Sequence, residues 1–188
     1  MIRSEERKGY RMKKNDSLKC IIVMIAICLF IGVAMAAVNS ITAPKIEEAN
    51  KQKEKEALVA VLPTAESFKN ITPEGCDDSV VAVYCDEGGE GYAVLLSIKG
   101  YDSSNPMSVA VGIDNDGKIL KCHVISCSGE TSGIGTKVGD SSFLDRFVGK
   151  DSSLDGVDTI SGATISSKAF IKAVHAAHDA VELAKEGM

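Results

Sequence analysis

The chain of 188 residues contains no tryptophan, and phenylalanine and tyrosine bring the aromatic share to only 5%. A flat ligand held by this protein would therefore be stacked by something other than an indole, or by nothing. Basic residues are scarce where a nucleic-acid partner would need them. Residues 64–188 carry ten Lys and Arg against nineteen Asp and Glu. Neutralising phosphates takes a basic surface, so nucleic acid is excluded as a partner. No close cysteine cluster of the iron–sulfur type occurs. The Gly-x-Ser-x-Gly elbow of serine hydrolases is missing around Ser161, and no internal repeat is evident. Apolar residues make up 45% and charged residues 25% of the chain, which is not the composition of a disordered protein.

What is present begins with a basic segment. Residues 1–19 carry seven Lys and Arg against three acids. Cys20 to Val38 follows as an uncharged, mostly apolar run. At about 1.5 Å per residue it spans roughly 28 Å, close to the thickness of a bilayer core. Four lysines (45, 51, 53 and 55) lie beyond it. The excess of positive charge before the run predicts a cytoplasmic N-terminus and a C-terminal body outside. Ala34-Met35-Ala36 offers a cleavage pattern, but the run exceeds the usual length of a signal core, so a retained anchor is the favoured reading.

From Lys45 to Leu62 the sequence is rich in Glu, Lys and Ala, as expected of a solvated helical stalk. Pro44 suits its first turn, and Pro63 ends it. The domain reading is thus a basic tail at 1–19, a transmembrane helix at 20–38, a stalk at 39–63 and an extracytoplasmic domain at 64–188. Within that domain, apolar β-rich runs at 80–85 and 91–98 flank the loop Asp86-Glu87-Gly88-Gly89-Glu90. Runs at 107–114 and 118–126 flank Asn115-Asp116-Gly117, a hairpin signal. A short helix is expected at 140–149, with Phe143, Leu144 and Phe147 on one face and Asp140 or Ser141 as cap. A final helix is expected at 166–185, with Phe170, Val174, Ala177, Val181 and Ala184 on one stripe. The fold class is α+β: an antiparallel sheet with flanking helices, preceded by one transmembrane helix and a helical stalk.

Two stretches could carry chemistry. In the first, Asp158 to Ser167, the β-branched Thr159 and Ile160 suggest a strand end. Ser161, Gly162 and Ala163 are small enough for a tight turn and a close neighbour. Thr164, Ser166 and Ser167 bring hydroxyls to a helix start, where unpaired N–H groups favour an anion. An ordinary Ser or Thr helix cap is the plain alternative. The second stretch is Gly129 to Lys137. It is not a P-loop, because Thr136 separates Gly135 from Lys137, and it is not a dinucleotide loop, because Gly139 falls one residue too late. A glycine loop able to approach a flat ligand remains, with Lys137 near an anion. His175, His178 and Glu182 share a helix side but lack a further ligand, so no metal site is expected. In an exported body Cys76, Cys85, Cys122 and Cys127 could pair or stay free.

Asp158-Thr159-Ile160-Ser161-Gly162-Ala163-Thr164 resembles the flavinylation motif of FMN-binding domains, Asp-x-x-(Ser/Thr)-Gly-Ala-Thr. Glu130-Thr131-Ser132-Gly133-Ile134-Gly135, with Lys137 after it, resembles that family's Glu-Thr-Pro-Gly-Leu-Gly loop, with Ser132 in place of the proline. Together with the anchor and the stalk ending in Val61-Leu62-Pro63, the chain resembles the G subunit of Rnf ion-translocating electron-transport complexes. The related C subunit of the sodium-pumping quinone reductase shares the motif but is usually longer. The resemblance implies FMN joined to Thr164 by a phosphodiester, attached by a separate flavin transferase. It implies flavin contacts from Asp158, Ser161, Gly162, Ala163, Glu130, Thr131, Gly133, Gly135 and Lys137. It also implies electron relay between other subunits of the complex, on a bacterial inner membrane, in a reaction linking ferredoxin, NAD and ion translocation.

Overall fold

The computed structural model describes residues 14–65 and 67–187, so the first thirteen residues of the basic tail lie outside the described residues. The chain divides into two units, residues 1–49 and 50–188. Helix α1 runs without a break over Lys14–Val61 and contributes to both. Its stretch in the first unit includes a segment long and apolar enough to cross a membrane. Ile21, Ile25, Leu29, Phe30 and Val33 are all exposed there, which is the surface a bilayer would cover.

The junction read at Pro44 is not a helix end, because Pro44 sits inside α1. A proline there removes one i→i−4 hydrogen bond. Just before it, Ser40 Oγ donates to the Ala37 carbonyl (2.9 Å) and Thr42 Oγ1 to the Val38 carbonyl (2.8 Å). Ser and Thr hydroxyls that bond back to the preceding turn in this way compete with the helix ladder and often bend a helix.

The second unit is built on a five-stranded antiparallel meander in the order β1-β2-β3-β4-β5. The strands are β1 Phe68–Asn70, β2 Val80–Asp86, β3 Gly91–Ile98, β4 Met107–Asp114 and β5 Ile119–Ser126. Four of them follow the expected runs. The three-residue β1, paired to Tyr84–Asp86, is too short to show a periodic signature. The β4–β5 turn closes as its Asn-Asp-Gly signal requires, with Asp114 N–H donating to the Lys118 carbonyl (2.9 Å) and Gly117 at φ +79°.

The two faces of the sheet are covered differently. On one face Val94, Leu96, Ile98, Val109, Val111 and Ile113 join a core with α3 (Thr164–Glu186), whose Phe170, Ala173, Val174, Ala177 and Val181 are buried. The other face, with Ala93, Leu95 and Ala110, is closed by Ala57, Leu58 and Val61 in the last turns of α1 and by Leu62 just after it. Fully burying each Leu or Val contributes about 1.5–3 kcal/mol. Gly112 makes this approach possible, since a Cβ there would lie 2.5 Å from the Val61 carbonyl oxygen.

The segment expected to be helical at 140–149 holds only one α-turn, α2 (Ser141–Leu144), followed by tight turns. Asp140 occupies its N-cap position without a side-chain bond. All six cysteines are free thiols. Cys122 lies in the core, and burial pushes its thiol up to about 12.

His178, on α3, is 4% exposed, and its Nε2 is without a hydrogen-bond partner among the described residues. Burial, assisted by His175, holds its pKa below the ordinary value of about 6.5, against weaker opposing contributions from Glu182, Asp151 and Asp179. The unfolded chain therefore binds this proton first as pH falls. Stability is expected to drop from about pH 6.5 downward. Thermal melts between pH 5 and 8 should show a shallower acid slope for His178→Gln than for the unaltered protein.

Candidate functional site

The N-terminus of α3 is where the motif residues meet. The N-cap residue is Ala163, which makes no side-chain cap bond, and the first turn contains no acid. The plain alternative of a Ser or Thr cap therefore does not apply. The first N–H groups of a helix have no intrahelical acceptor, and they form the positive end of its dipole. Thr164 is the first helical residue, and its side chain is exposed.

The preceding turn is shaped by Gly162 at φ +83°, a conformation that side-chain-bearing residues rarely adopt. Ala163 N–H donates to the Ile160 carbonyl (3.0 Å). Ile160 N–H in turn donates to Ser167 Oγ (3.1 Å), while that hydroxyl donates to the Ala163 carbonyl (2.8 Å). Ile160 is thus tied to the first turn of α3. Thr159 and Ile160 do not form the expected strand end, because the N–H and carbonyl of Ile160 both bond to that turn and not to the sheet.

The glycine loop folds back on itself beside this turn. The Thr131 carbonyl accepts from the N–H groups of Ile134 (3.1 Å), Gly135 (2.8 Å) and Thr136 (3.2 Å). Gly133 N–H donates to Thr136 Oγ1 (3.0 Å). The loop then continues into a 3-10 helix over Gly135–Gly139. Between the two stretches lies a cleft of about 480 Å³, lined by Tyr101, Thr131, Ile134, Gly135 and Gly162 through Ser166. Its size falls in the range of small-molecule sites, roughly 300–1,000 Å³.

The expected site residues divide in three. Thr131, Gly135, Gly162, Ala163 and Thr164 line the cleft. Glu130 does not line it but is buried at 6% exposure; it accepts Tyr101 N–H at Oε1 (3.0 Å) and Ser166 Oγ at Oε2. Asp158, Ser161, Gly133 and Lys137 are exposed residues outside the lining set. Asp158 has its carbonyl bonded by Arg146 Nη1 (3.3 Å), which holds the start of the motif to the α2 region.

No motif marks Tyr101. It is a lone aromatic in the polar loop after β3, 65% exposed, and the one aromatic residue in the cleft wall. Nearby, burial raises the Cys127 thiol, with Glu130 and Asp140 adding to the effect, so it stays protonated and poorly nucleophilic. Among the described residues no three His, Cys, Asp or Glu side chains gather into a metal site.

An antiparallel meander carrying a ligand-sized cleft at the amino end of its long helix defines a small cofactor-binding domain, and residues 100–179 match the family of FMN-binding domains. The chain is 30% identical over 182 residues to the G subunit of a proton-translocating ferredoxin:NAD(+) oxidoreductase complex of Clostridium ljungdahlii, covering 90% of this chain and 94% of that one. It is 29% identical over 185 residues to the G subunit of an ion-translocating oxidoreductase complex of Methanosarcina acetivorans, covering 92% and 98%. A counterpart from the Na(+)-translocating complex of Acetobacterium woodii is 29% identical over 182 residues, covering 82% and 86%. The chain belongs to the G-subunit family of ion-translocating oxidoreductase complexes.

Proposed function

We propose that the protein is the membrane-anchored, electron-carrying flavoprotein of an ion-translocating ferredoxin:NAD oxidoreductase complex, with FMN joined covalently to Thr164. The observation that carries the attachment is the uncapped, acid-free start of α3 with the exposed Thr164 as its first residue. A phosphodiester at Thr164 would place its remaining negative charge at the positive end of the helix, favourable by about 0.3–1 kcal/mol. Gly162 and Ala163 leave room beside it. The open face of Tyr101 offers a stacking surface in a chain without tryptophan. Bound flavin supplies the electron-transfer chemistry, and the protein supplies its placement and electrostatics.

Attachment would use FAD, a divalent metal and a separate flavin transferase. The Thr164 Oγ–phosphorus bond forms as the pyrophosphate bond of FAD breaks, AMP leaves, and the hydroxyl proton is released. The cleft-lining glycines and the exposed Thr164 suit access by such an enzyme. Partners are other subunits of the complex. The charge bias around the apolar run supports a cytoplasmic N-terminus and an extracytoplasmic domain on a bacterial inner membrane. Denaturing mass spectrometry of the protein from its native membrane is expected to show a gain equal to FMN minus water. An unmodified mass with no flavin absorbance would instead indicate a non-redox domain on a membrane stalk.

A further inference from the structure

We infer that Glu130 is a positioning residue of this site: it ties the Tyr101 wall of the cleft to the first turn of α3 and sets a negative charge behind them that lowers the reduction potential of the flavin. The inference rests on the reading of the cleft as an FMN site.

Glu130 lies behind the lining, and each of its carboxylate oxygens serves a different wall. Oε1 takes Tyr101 N–H, 29 positions earlier in the chain, and Oε2 takes the Ser166 hydroxyl, 36 positions later. Both donor residues line the cleft. One side chain therefore fixes the spacing of two segments that share no element of secondary structure. The packing around it leaves little choice of position. A Cβ at Gly135 would lie 2.8 Å from Oε2 and 2.9 Å from Ser166 Oγ, and one at Gly100 would collide with Oε1. Two glycines thus make way for a carboxylate where a hydrocarbon side chain would avoid any polar demand.

Both partners are neutral donors, so the charge is solvated but not cancelled. At 6% exposure it is poorly screened by water, and a weakly screened charge acts more strongly on its surroundings. Reduction adds negative charge to a flavin or draws in protons to offset it. A fixed anion behind the cleft opposes that change and favours the oxidised form. A purely structural Glu130 would hold the walls without affecting this balance.

The test uses the full chain, produced with a flavin transferase and purified in detergent. The midpoint is read by spectroelectrochemical titration, with dithionite supplying two electrons per flavin and solvent the protons. Glu130→Gln keeps the volume and removes the charge. It is expected to favour reduction by tenfold or more, about 30 mV upward for two electrons. Ser166→Ala, which keeps the charge and removes one hydrogen bond, should shift the midpoint less. Asp116→Asn removes the same charge from the exposed β4–β5 turn and should leave it unchanged.

An unaltered midpoint in Glu130→Gln, or an equal rise in Ser166→Ala, would overturn the proposal. Should Glu130→Gln not take up flavin, Gly100→Ala carries the test. Its methyl group must displace the carboxylate, so a midpoint equal to that of the unaltered protein would sink the idea. Failure of the unaltered chain itself to gain the FMN mass would strike the cofactor reading rather than the role of Glu130.

Discussion

Thr164→Ala, produced alongside a flavin transferase, is expected to run as an unmodified chain with no flavin fluorescence in a denaturing gel. The loss should be complete, because alanine has no oxygen to bond the phosphorus. Ser161, Ser166 and Ser167 are not expected to substitute. Ser161 is exposed but stands outside the cleft lining, the Ser166 hydroxyl is committed to Glu130, and the Ser167 hydroxyl is committed to the Ala163 carbonyl. The fold should survive the change. Thr164 is an exposed first-turn residue, and alanine is the strongest helix former. Persisting fluorescence in a variant that melts like the unaltered protein would place the attachment elsewhere.

Phe170→Ala is the substitution expected to damage the domain most. Phe143, Phe147 and Phe170 form a closed trio with ring centroids 5.1–5.5 Å apart, two of the pairs edge to face. All three rings are at most 1% exposed. Removing a buried phenylalanine side chain costs about 3–5 kcal/mol, and the cavity here opens between two other rings that α2 and its following turns hold in place. Against a typical total of about 5–15 kcal/mol this is a large fraction. Denaturant titration should show a lower midpoint with an unchanged slope, the mark of lost stability in an otherwise similar transition. An effect below about 1 kcal/mol would mean that the trio does not anchor the helix carrying Thr164.

The elements that local pattern governs were legible in the sequence. The stripe from Phe170 to Ala184 marked α3, Asn115-Asp116-Gly117 marked its hairpin, and the uncharged run marked the candidate membrane segment. The small residues before Thr164 marked the turn, because only their size allows it. What was not legible depends on partners far away in the chain. Thr159 and Ile160 have strand-forming side chains, yet the Ser167 hydroxyl takes the Ile160 N–H that a ladder would need. Tyr101 enters the cleft through a bond to Glu130, and neither residue signals the other along the chain. Pro44 reads as a boundary by propensity, while the helix runs on through it. The burial of Glu130 is likewise a product of Gly100 and Gly135 arriving from separate loops.

The close meeting of Gly112 with the Val61 carbonyl bears on where the protein can be cut. A truncation at Pro63 falls at the end of the stalk by sequence, but it would strip Ala57, Leu58, Val61 and Leu62 from the sheet. Ala93, Leu95 and Ala110 would then face water as a contiguous apolar patch, the kind of surface that drives self-association. A fragment that keeps this face of the sheet covered has to begin upstream of Ala57, and a start at Asn50, where the second compact unit begins, meets that condition with the last turns of the helix serving as the domain's own lid.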